Sequence, residues 1–96
     1  MIRSFADEIA LDLFRERNTR YSRRLPRNLR RVTQRKLKAL DVAARLNDLR
    51  IPAGNRLKRL RGDRSEQYSM RINNQYRVTF QWKDGDAHNV GIEDYH

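Results

Sequence analysis

Alternating apolar and polar side chains mark the last third of the chain as β-structure. The apolar members of three successive segments are Tyr68, Met70 and Ile72; Tyr76, Val78, Phe80 and Trp82; and Val90 and Ile92. Residues two apart share one face of a strand, so this period predicts three half-buried strands. Asn73-Asn74 and Asp84-Gly85 separate the segments and suit hairpin turns that need a positive φ. We therefore expect an antiparallel meander with one apolar and one polar face.

The turns decide which residues of the meander face each other. A two-residue loop at Asn73-Asn74 would set Arg77 opposite Met70, whereas a three-residue loop sets Val78 there. Because a slip of one residue turns every side chain to the other face, the apolar face selects the longer loop. The same reasoning at the second turn pairs Trp82 with His88 and Val78 with Ile92. The predicted polar face carries Ser69, Arg71, Arg77, Thr79, Gln81 and Glu93, with Arg77 opposite Glu93.

The first half of the chain has helical periodicity. Residues 2–4 read as a short strand, and Ser4 and Asp7 have the spacing of a capping box that opens a first helix. Apolar residues at helical spacing then form one stripe: Ala6, Ile9, Ala10, Leu13 and Phe14. A second helix is predicted to start near Pro26, with a stripe of Leu29, Val32, Leu37, Leu40 and Ala44. Residues 46–49 indicate a further helical turn, and residues 56–60 a short strand.

Composition narrows the class of protein. A length of 96 residues without repeats or linkers indicates one domain, residues 1–96. Cysteine is absent, which excludes disulfides and is compatible with a cytoplasmic location. No apolar run approaches the roughly 20 residues that span a membrane. The net charge of +10, from 22 Lys+Arg against 12 Asp+Glu, favours a polyanionic partner such as nucleic acid or the ribosome, with an acidic protein or membrane headgroups as alternatives.

Much of the positive charge lies on the predicted second helix and just before it. Between Arg15 and Lys38 the only acidic residue is Glu16. One reading of this run is a solvated face that keeps the protein in solution. The other reading is a surface that binds RNA phosphates. Like charges at i, i+4 repel each other and destabilise the helix, and a binding function would explain why they are present, so we favour this reading.

The polar residues of the meander and of the chain end suit metal-free RNA cleavage. The chain has no phosphate-binding loop and no dinucleotide glycine motif, and its two histidines match no standard metal-ligand spacing. Cleavage of RNA by its own 2′-hydroxyl needs only groups that move protons and cations that stabilise the phosphorane. Each candidate also has a simpler reading: a frayed terminus for residues 94–96, a surface ion pair for Arg77 with Glu93, solubilising charges for Arg64 and Arg71, and a structural role for His88.

Short motifs throughout the chain resemble one family of toxins. They are GDR at 62–64, YSMRIN at 68–73, YRVTF at 76–80 and EDYH at 93–96, and the opening MIRSF and residues 40–57 fit as well. This pattern is similar to the HigB branch of the RelE superfamily and covers nearly the whole chain. The resemblance implies an α+β, RelE-like fold in which two N-terminal helices pack on a curved antiparallel sheet.

The resemblance also implies a function and its residues. It implies a toxin of a type II toxin–antitoxin system that cleaves mRNA on the ribosome in the cytoplasm, without a cofactor. It implies that the partner is a helix-turn-helix antitoxin. The antitoxin would bind operator DNA, and the toxin would be attached to that DNA only through it. Asp94, Tyr95, His96 and Arg77 match the family's catalytic positions. We expect RNA contacts from Arg56, Arg64 and Arg71 of the sheet region and from Arg30, Arg31 and Arg35 of the second helix.

Three positions depart from the family pattern. Arg61 stands where the pattern usually has a lysine, and Lys58 and Arg59 stand where some members have a histidine and a proline. A lysine is protonated near neutral pH, so Lys58 suits phosphate contact or proton donation better than proton abstraction. We therefore expect His96 or Asp94 to act as the general base. Two other functions are open on the sequence alone: a ribosome-binding inhibitor without catalysis, and a gyrase-directed toxin of the same superfamily.

Overall fold

The structure, a computed structural model, describes residues 1–64 and 66–95. Helix α1 spans Glu8–Phe14 and buries Ala10 and Leu13. Its N-cap is Asp7, whose Oδ1 accepts the Ala10 N–H at 2.8 Å. The predicted capping box with Ser4 at the start is therefore wrong. Residues 2–5 are extended against the sheet instead, and the Ser4 hydroxyl accepts the N–H of Asn89 at 2.9 Å.

Helix α2 spans Arg27–Val42 and follows Pro26, as predicted. Its inner side buries Thr33, Leu37 and Leu40. The helix ends before the predicted Ala44, because the backbone is already extended at Ala43, where ψ is 126°. A short 3-10 turn, Leu46–Arg50, confirms the helical turn predicted for residues 46–49.

Four antiparallel strands form one sheet in chain order: β1 Lys58–Arg59, β2 Gln67–Arg71, β3 Tyr76–Lys83 and β4 Asp86–Asp94. The first hairpin has the predicted register, with Tyr68 opposite Phe80 and Met70 opposite Val78. The strand predicted for residues 2–4 is present only as isolated parallel bridges, which join Ile2 to Ala87 and Phe5 to Val90. These bridges cover the outer edge of β4, which would otherwise expose unpaired backbone groups.

The second hairpin differs from its predicted register. Trp82 lies opposite Ala87, and His88 opposite Gln81, so the predicted Trp82–His88 pair is wrong. Asp84-Gly85 forms a two-residue turn with φ of 53° and 79°, the left-handed geometry that matches the twist of the strands. Asn89, at φ 51°, is the extra residue of a β-bulge that restores the predicted pairing of Val78 with Ile92.

The core lies between the helices and the apolar face of the sheet. Its buried members are Leu13, Leu25, Leu37, Leu40, Ala43, Leu49, Met70, Val78, Phe80, Ala87 and Val90. The polar face is less solvated than its alternation suggests, because Ser69 and Thr79 are buried there. Within the described part of the chain, no helix is long and apolar enough to cross a membrane.

Candidate active site

Hydrogen bonds hold the last strand in place at the end of the sheet where β3 begins. The Asn73 side chain accepts the N–H groups of Gln75 and Tyr76 at 2.9 and 2.7 Å, which shapes the loop before β3. The Gln75 carbonyl then accepts the N–H of Tyr95, and the Gln75 amide donates to Asp94 at 3.1 Å. Residues 94 and 95 are thus paired with the start of β3, so the frayed-terminus reading does not hold for them.

Arg77 lies next to this end, on the polar face. Its Nε donates to the buried Ser69 hydroxyl at 2.9 Å, and its Nη2 donates to the Arg56 carbonyl at 3.1 Å. The guanidinium carbon lies 5.5 Å from the centre of the Tyr95 ring, within the range of a cation–π contact. Of the five N–H donors of an arginine, these two bonds use two, so three are left for a ligand. The geometry fixes a cation beside an aromatic ring.

The carboxylate opposite Arg77, that of Glu93, forms its ion pair with a different arginine. Arg77 and Glu93 are partners in the strand register, as predicted, but the ion pair of Glu93 is made with Arg64. Arg64 binds both oxygens of the carboxylate, one at 2.9 Å, and also donates to the Gln67 side chain at 2.6 Å. The hydrogen bond from Arg64 lowers the pKa of Glu93, against the opposing effect of burial. The simpler reading of Arg77 and Glu93 as a surface ion pair therefore does not hold, and the charge of Arg77 stays available.

Several cations gather around Arg77. Burial, and after it the charges of Arg71 and Arg56, lower the pKa of Arg77, whereas Tyr95 raises it. Lys36 of α2 is a further cation with a lowered pKa, first because of burial and then because of the charges of Arg35 and Arg71. A lowered pKa of a basic group means that its positive charge is disfavoured, here by burial first and by neighbouring cations second, and a bound anion would offset both effects.

Lys36 is a site candidate that the sequence did not single out. Its Nζ donates to the Asn55 Oδ1, and the Asn55 amide donates to the Leu49 carbonyl at 3.1 Å. Asn55 precedes Arg56, whose carbonyl holds Arg77, so one short segment connects α2 to the site. In the sequence Lys36 is one of many basic residues of α2, and no local pattern distinguishes it.

The other predicted residues differ in how closely they approach this cluster. Lys58 pairs with Ser69 in the register, so it lies on the face of Arg77, and its side chain is exposed. Arg71 lies on the same face and donates to the Asn74 side chain. Arg61 is exposed just after β1. His96 lies outside the described residues.

The three arginines predicted on α2 also differ from each other. Arg31 and Arg35 are exposed and accessible to a polyanion. Arg30 is engaged in the fold, since it donates to the carbonyls of Leu25 at 2.9 Å and of Arg23 at 3.2 Å. These bonds hold the segment that leads into α2, so the guanidinium of Arg30 serves structure first.

The cluster contains the groups that phosphate chemistry uses. Arginines offer directed hydrogen bonds and charge to a phosphate, a tyrosine ring offers a stacking surface, and Asp94 is an exposed carboxylate. Among residues 1–64 and 66–95, no three His, Asp or Glu side chains are placed to share a metal ion.

Comparison with known proteins assigns the chain to a class. The family described as RelE-like toxin of type II toxin-antitoxin system HigB matches residues 3–96. The chain is 42% identical over 83 residues to Toxin HigB-1 of Vibrio cholerae, a match that covers 86% of each chain. It is 36% identical over 61 residues to Endoribonuclease HigB of Proteus vulgaris, which covers 64% of this chain and 65% of that one. The chain belongs to the HigB-like family of type II toxin–antitoxin toxins.

Solved structures agree on the fold. The YoeB-YefM complex from Staphylococcus aureus contains a chain that superposes with a TM-score of 0.61 over 100% of this chain and 98% of its own, at 17% identity. YafQ from E. coli superposes with a TM-score of 0.56, over 98% of this chain and 91% of its own, at 14% identity. The predicted α+β, RelE-like arrangement of helices on an antiparallel sheet is confirmed.

Proposed function

We propose that this protein is an endoribonuclease toxin that cleaves mRNA on the ribosome without a metal ion in the chemistry. The observation that carries the proposal is the fixed Arg77 guanidinium beside the Tyr95 ring, with no carboxylate paired to it among the described residues. A cation held in this way suits a phosphate in a chain of stacked bases. The family membership and the relative named Endoribonuclease HigB support the same reading.

The proposed reaction uses the substrate as its own nucleophile. The 2′-hydroxyl attacks the adjacent phosphorus, and the bond to the 5′-oxygen breaks, leaving a cyclic phosphate and a 5′-hydroxyl. Arg77 stabilises the phosphorane by charge and by its free N–H donors. Tyr95 positions the neighbouring base, and Asp94 and His96 exchange protons with the 2′-oxygen and the leaving oxygen. Lys58 and Arg61 add charge from the β1 side.

Ribosome dependence has a physical reason in this site. Asp94 is exposed, and Tyr95 is half-buried at the end of the sheet, so these two side chains do not by themselves enclose a nucleotide. An open site gives little control over the in-line geometry that the 2′-hydroxyl needs. Orientation of the mRNA by the ribosome can supply several kcal/mol of the missing activation free energy. The exposed Arg31 and Arg35 then serve as contacts with RNA phosphates.

The remaining parts of the proposal concern the setting of the toxin. A second protein, the antitoxin, binds the toxin and blocks it; we expect a helix-turn-helix protein that alone contacts operator DNA. The site of action is the cytoplasm, where mRNA is translated.

Chelation of divalent ions, under conditions that keep the ribosome complex intact, should leave the cleavage rate unchanged. A cleavage rate that then falls to zero would refute the metal-free assignment.

Mapping the 5′ ends of cellular mRNA after induction of the toxin tests the proposal. Wild-type protein should create new internal ends, and Arg77→Ala should create far fewer at equal expression. Arg50→Ala is a matched control, because Arg50 is an exposed arginine in a different element and its loss changes the net charge equally. Growth arrest without new ends would indicate a ribosome-binding inhibitor instead. Induction of the DNA-damage response without new ends would indicate a gyrase-directed toxin.

A further inference from the structure

An apolar groove runs along the outer side of α2. It has a volume of about 330 Å³, and its apolar lining consists of Val32, Ala39, Ile51 and Pro52. One wall is α2 and the other is the segment after the 3-10 turn Leu46–Arg50. The side of α2 that carries Leu37 and Leu40 is packed against the core, and the groove lies beside that packed side, where Val32 and Lys36 are half-buried and Arg35 and Ala39 are exposed.

One residue of the groove lining, Ile51, is strongly exposed, and so is Val42 at the end of α2. Ile51 is 81% exposed and Val42 is 79% exposed, which places them among the few large apolar residues at the surface of the described chain. Val42 follows Ala39 by three positions, so both lie on one side of the helix. Val32, predicted in the inner stripe, is only half-buried and lines the groove together with the exposed Ala39. In a chain this polar, such a patch indicates a binding surface.

The charged residues of the groove have one sign. Arg35 and Lys36 line it together with Asn55, and no acidic residue contributes to the lining. An occupant should therefore present apolar side chains to the floor and carboxylates to Arg35 and Lys36. RNA does not fit this description, because the groove has no aromatic ring on which bases stack. A second copy of the chain is disfavoured by the net charge of +10 on each copy.

We propose that this groove receives an acidic, amphipathic segment of the antitoxin. The proposal rests on the proposed function in that it takes the antitoxin as the partner. Apolar contacts along α2 would supply affinity, and the carboxylates of the segment would pair with Arg35 and Lys36. Recognition of an amphipathic segment by a groove of this kind needs no change in the fold of the toxin.

The position of the groove explains how the same contact inhibits RNA binding. Lys36 donates to Asn55, and the next residue, Arg56, holds Arg77 through its carbonyl. Lys36 also lies within electrostatic range of Arg71. A carboxylate bound at Lys36 neutralises part of the cation cluster from its outer edge and competes with RNA phosphates for it. Toxin that is bound to antitoxin should therefore have lost affinity for the ribosome.

Two single substitutions test the groove. Ala39→Glu and Ile51→Glu each place a carboxylate on the apolar lining, where it would face the acidic partner. Both positions are exposed, and glutamate is a good helix former at position 39, so the fold should be retained. Ala44→Glu is the matched control, since Ala44 is exposed just beyond α2 and does not line the groove. The probe is the antitoxin cloned with the toxin as one operon.

The expected result is at least a 100-fold loss of affinity for the antitoxin in both groove variants, measured by titration calorimetry, with wild-type affinity in Ala44→Glu. In cells, both variants should arrest growth and escape neutralisation, and the arrest itself shows that they fold. Wild-type affinity in the groove variants would overturn the proposal. So would loss of ribosome binding with antitoxin binding intact, or a dimer of the free toxin that becomes a monomer in both variants. Calorimetry measures affinity for the antitoxin and does not depend on cleavage. A toxin that cuts no RNA would therefore refute the proposed function, and the calorimetry would still show whether the groove binds the antitoxin.

Discussion

Asp7 joins the start of α1 to the strand that carries the candidate site, and its replacement should be costly. Its Oδ1 accepts the Ala10 N–H at 2.8 Å as the helix cap, and its Oδ2 accepts the Ile92 N–H at 3.0 Å. Loss of such a cap costs about 1 kcal/mol. A part-buried N–H left without an acceptor costs about 1–3 kcal/mol. Asp7→Ala should therefore lower the free energy of unfolding by about 2–4 kcal/mol in total.

Gly91 provides a second measure of the same contact. A Cβ at Gly91 would lie 2.8 Å from the Asp7 Oδ2 and 3.3 Å from the Ala6 Cβ, so Gly91→Ala must displace the carboxylate. The two substitutions should be coupled, because Gly91→Ala costs less once the Asp7 carboxylate is absent. Residues in contact show interaction free energies of about 0.5–3 kcal/mol in such cycles. We expect a value in the upper half of that range.

Urea unfolding followed by circular dichroism measures all four corners of this cycle. Asp7→Asn separates the two bonds, since asparagine is a good N-cap but has a single acceptor oxygen and should lose mainly the Ile92 contact. Glu8→Ala is the control, because Glu8 is an exposed acid in the same helical turn and should cost less than about 1 kcal/mol. Additive effects of Asp7→Ala and Gly91→Ala would refute the reasoning, as would a cost of Asp7→Ala no larger than that of the control.

Three further predictions concern the site. Tyr95→Phe should keep most of the cleavage rate if the ring stacks on a base, whereas Tyr95→Ala should lose it, as measured by single-turnover cleavage of ribosome-bound mRNA. Arg31→Glu with Arg35→Glu should weaken ribosome association and flatten its salt dependence, and an unchanged slope of log affinity against log salt would contradict the RNA contact. The pKa of Glu93 is lowered, so its ion pair with Arg64 contributes its full stability above the ordinary carboxyl pKa of 4.5 and loses it as the pH falls from there through the lowered pKa. Glu93→Gln should therefore flatten the pH dependence of the melting temperature in that acidic range.

The sequence predicts the first hairpin well because a single local rule decides it. With Met70 in an apolar row, any register that set Arg77 beside it would bury an unpaired charge, and the observed pairing with Val78 follows. The second hairpin could not be predicted by the same rule. The turn at Asp84-Gly85 shifts the register by one residue, and the bulge at Asn89 shifts it back. The rule that residues two apart share a face assumes that both strands are continuous, and nothing in the residue pattern marks the bulge.

The candidate site was predictable in its residue types and less so in its pairings. Arg77 and Tyr95 are brought together by the strand pairing that the meander predicts. The pairing of Arg64 with Glu93 depends on how the turn after β1 folds back over the sheet, which is a tertiary contact without a sequence signal. Lys36 joins the cluster for a similar reason, since the segment that places Asn55 against α2 decides which of its many cations faces the site.

The central claim is that Arg77 stabilises the transition state of cleavage on the ribosome. Its most direct test is the single-turnover rate at which purified toxin cuts one mRNA, bound to programmed ribosomes or free in solution. Wild-type protein should cut the bound mRNA and leave the free mRNA nearly intact. Arg77→Ala should bind the same ribosomes but cut about 10²–10³-fold more slowly, the usual cost of a lost transition-state donor. Equal rates on bound and free mRNA, or a wild-type rate in Arg77→Ala, would contradict the account.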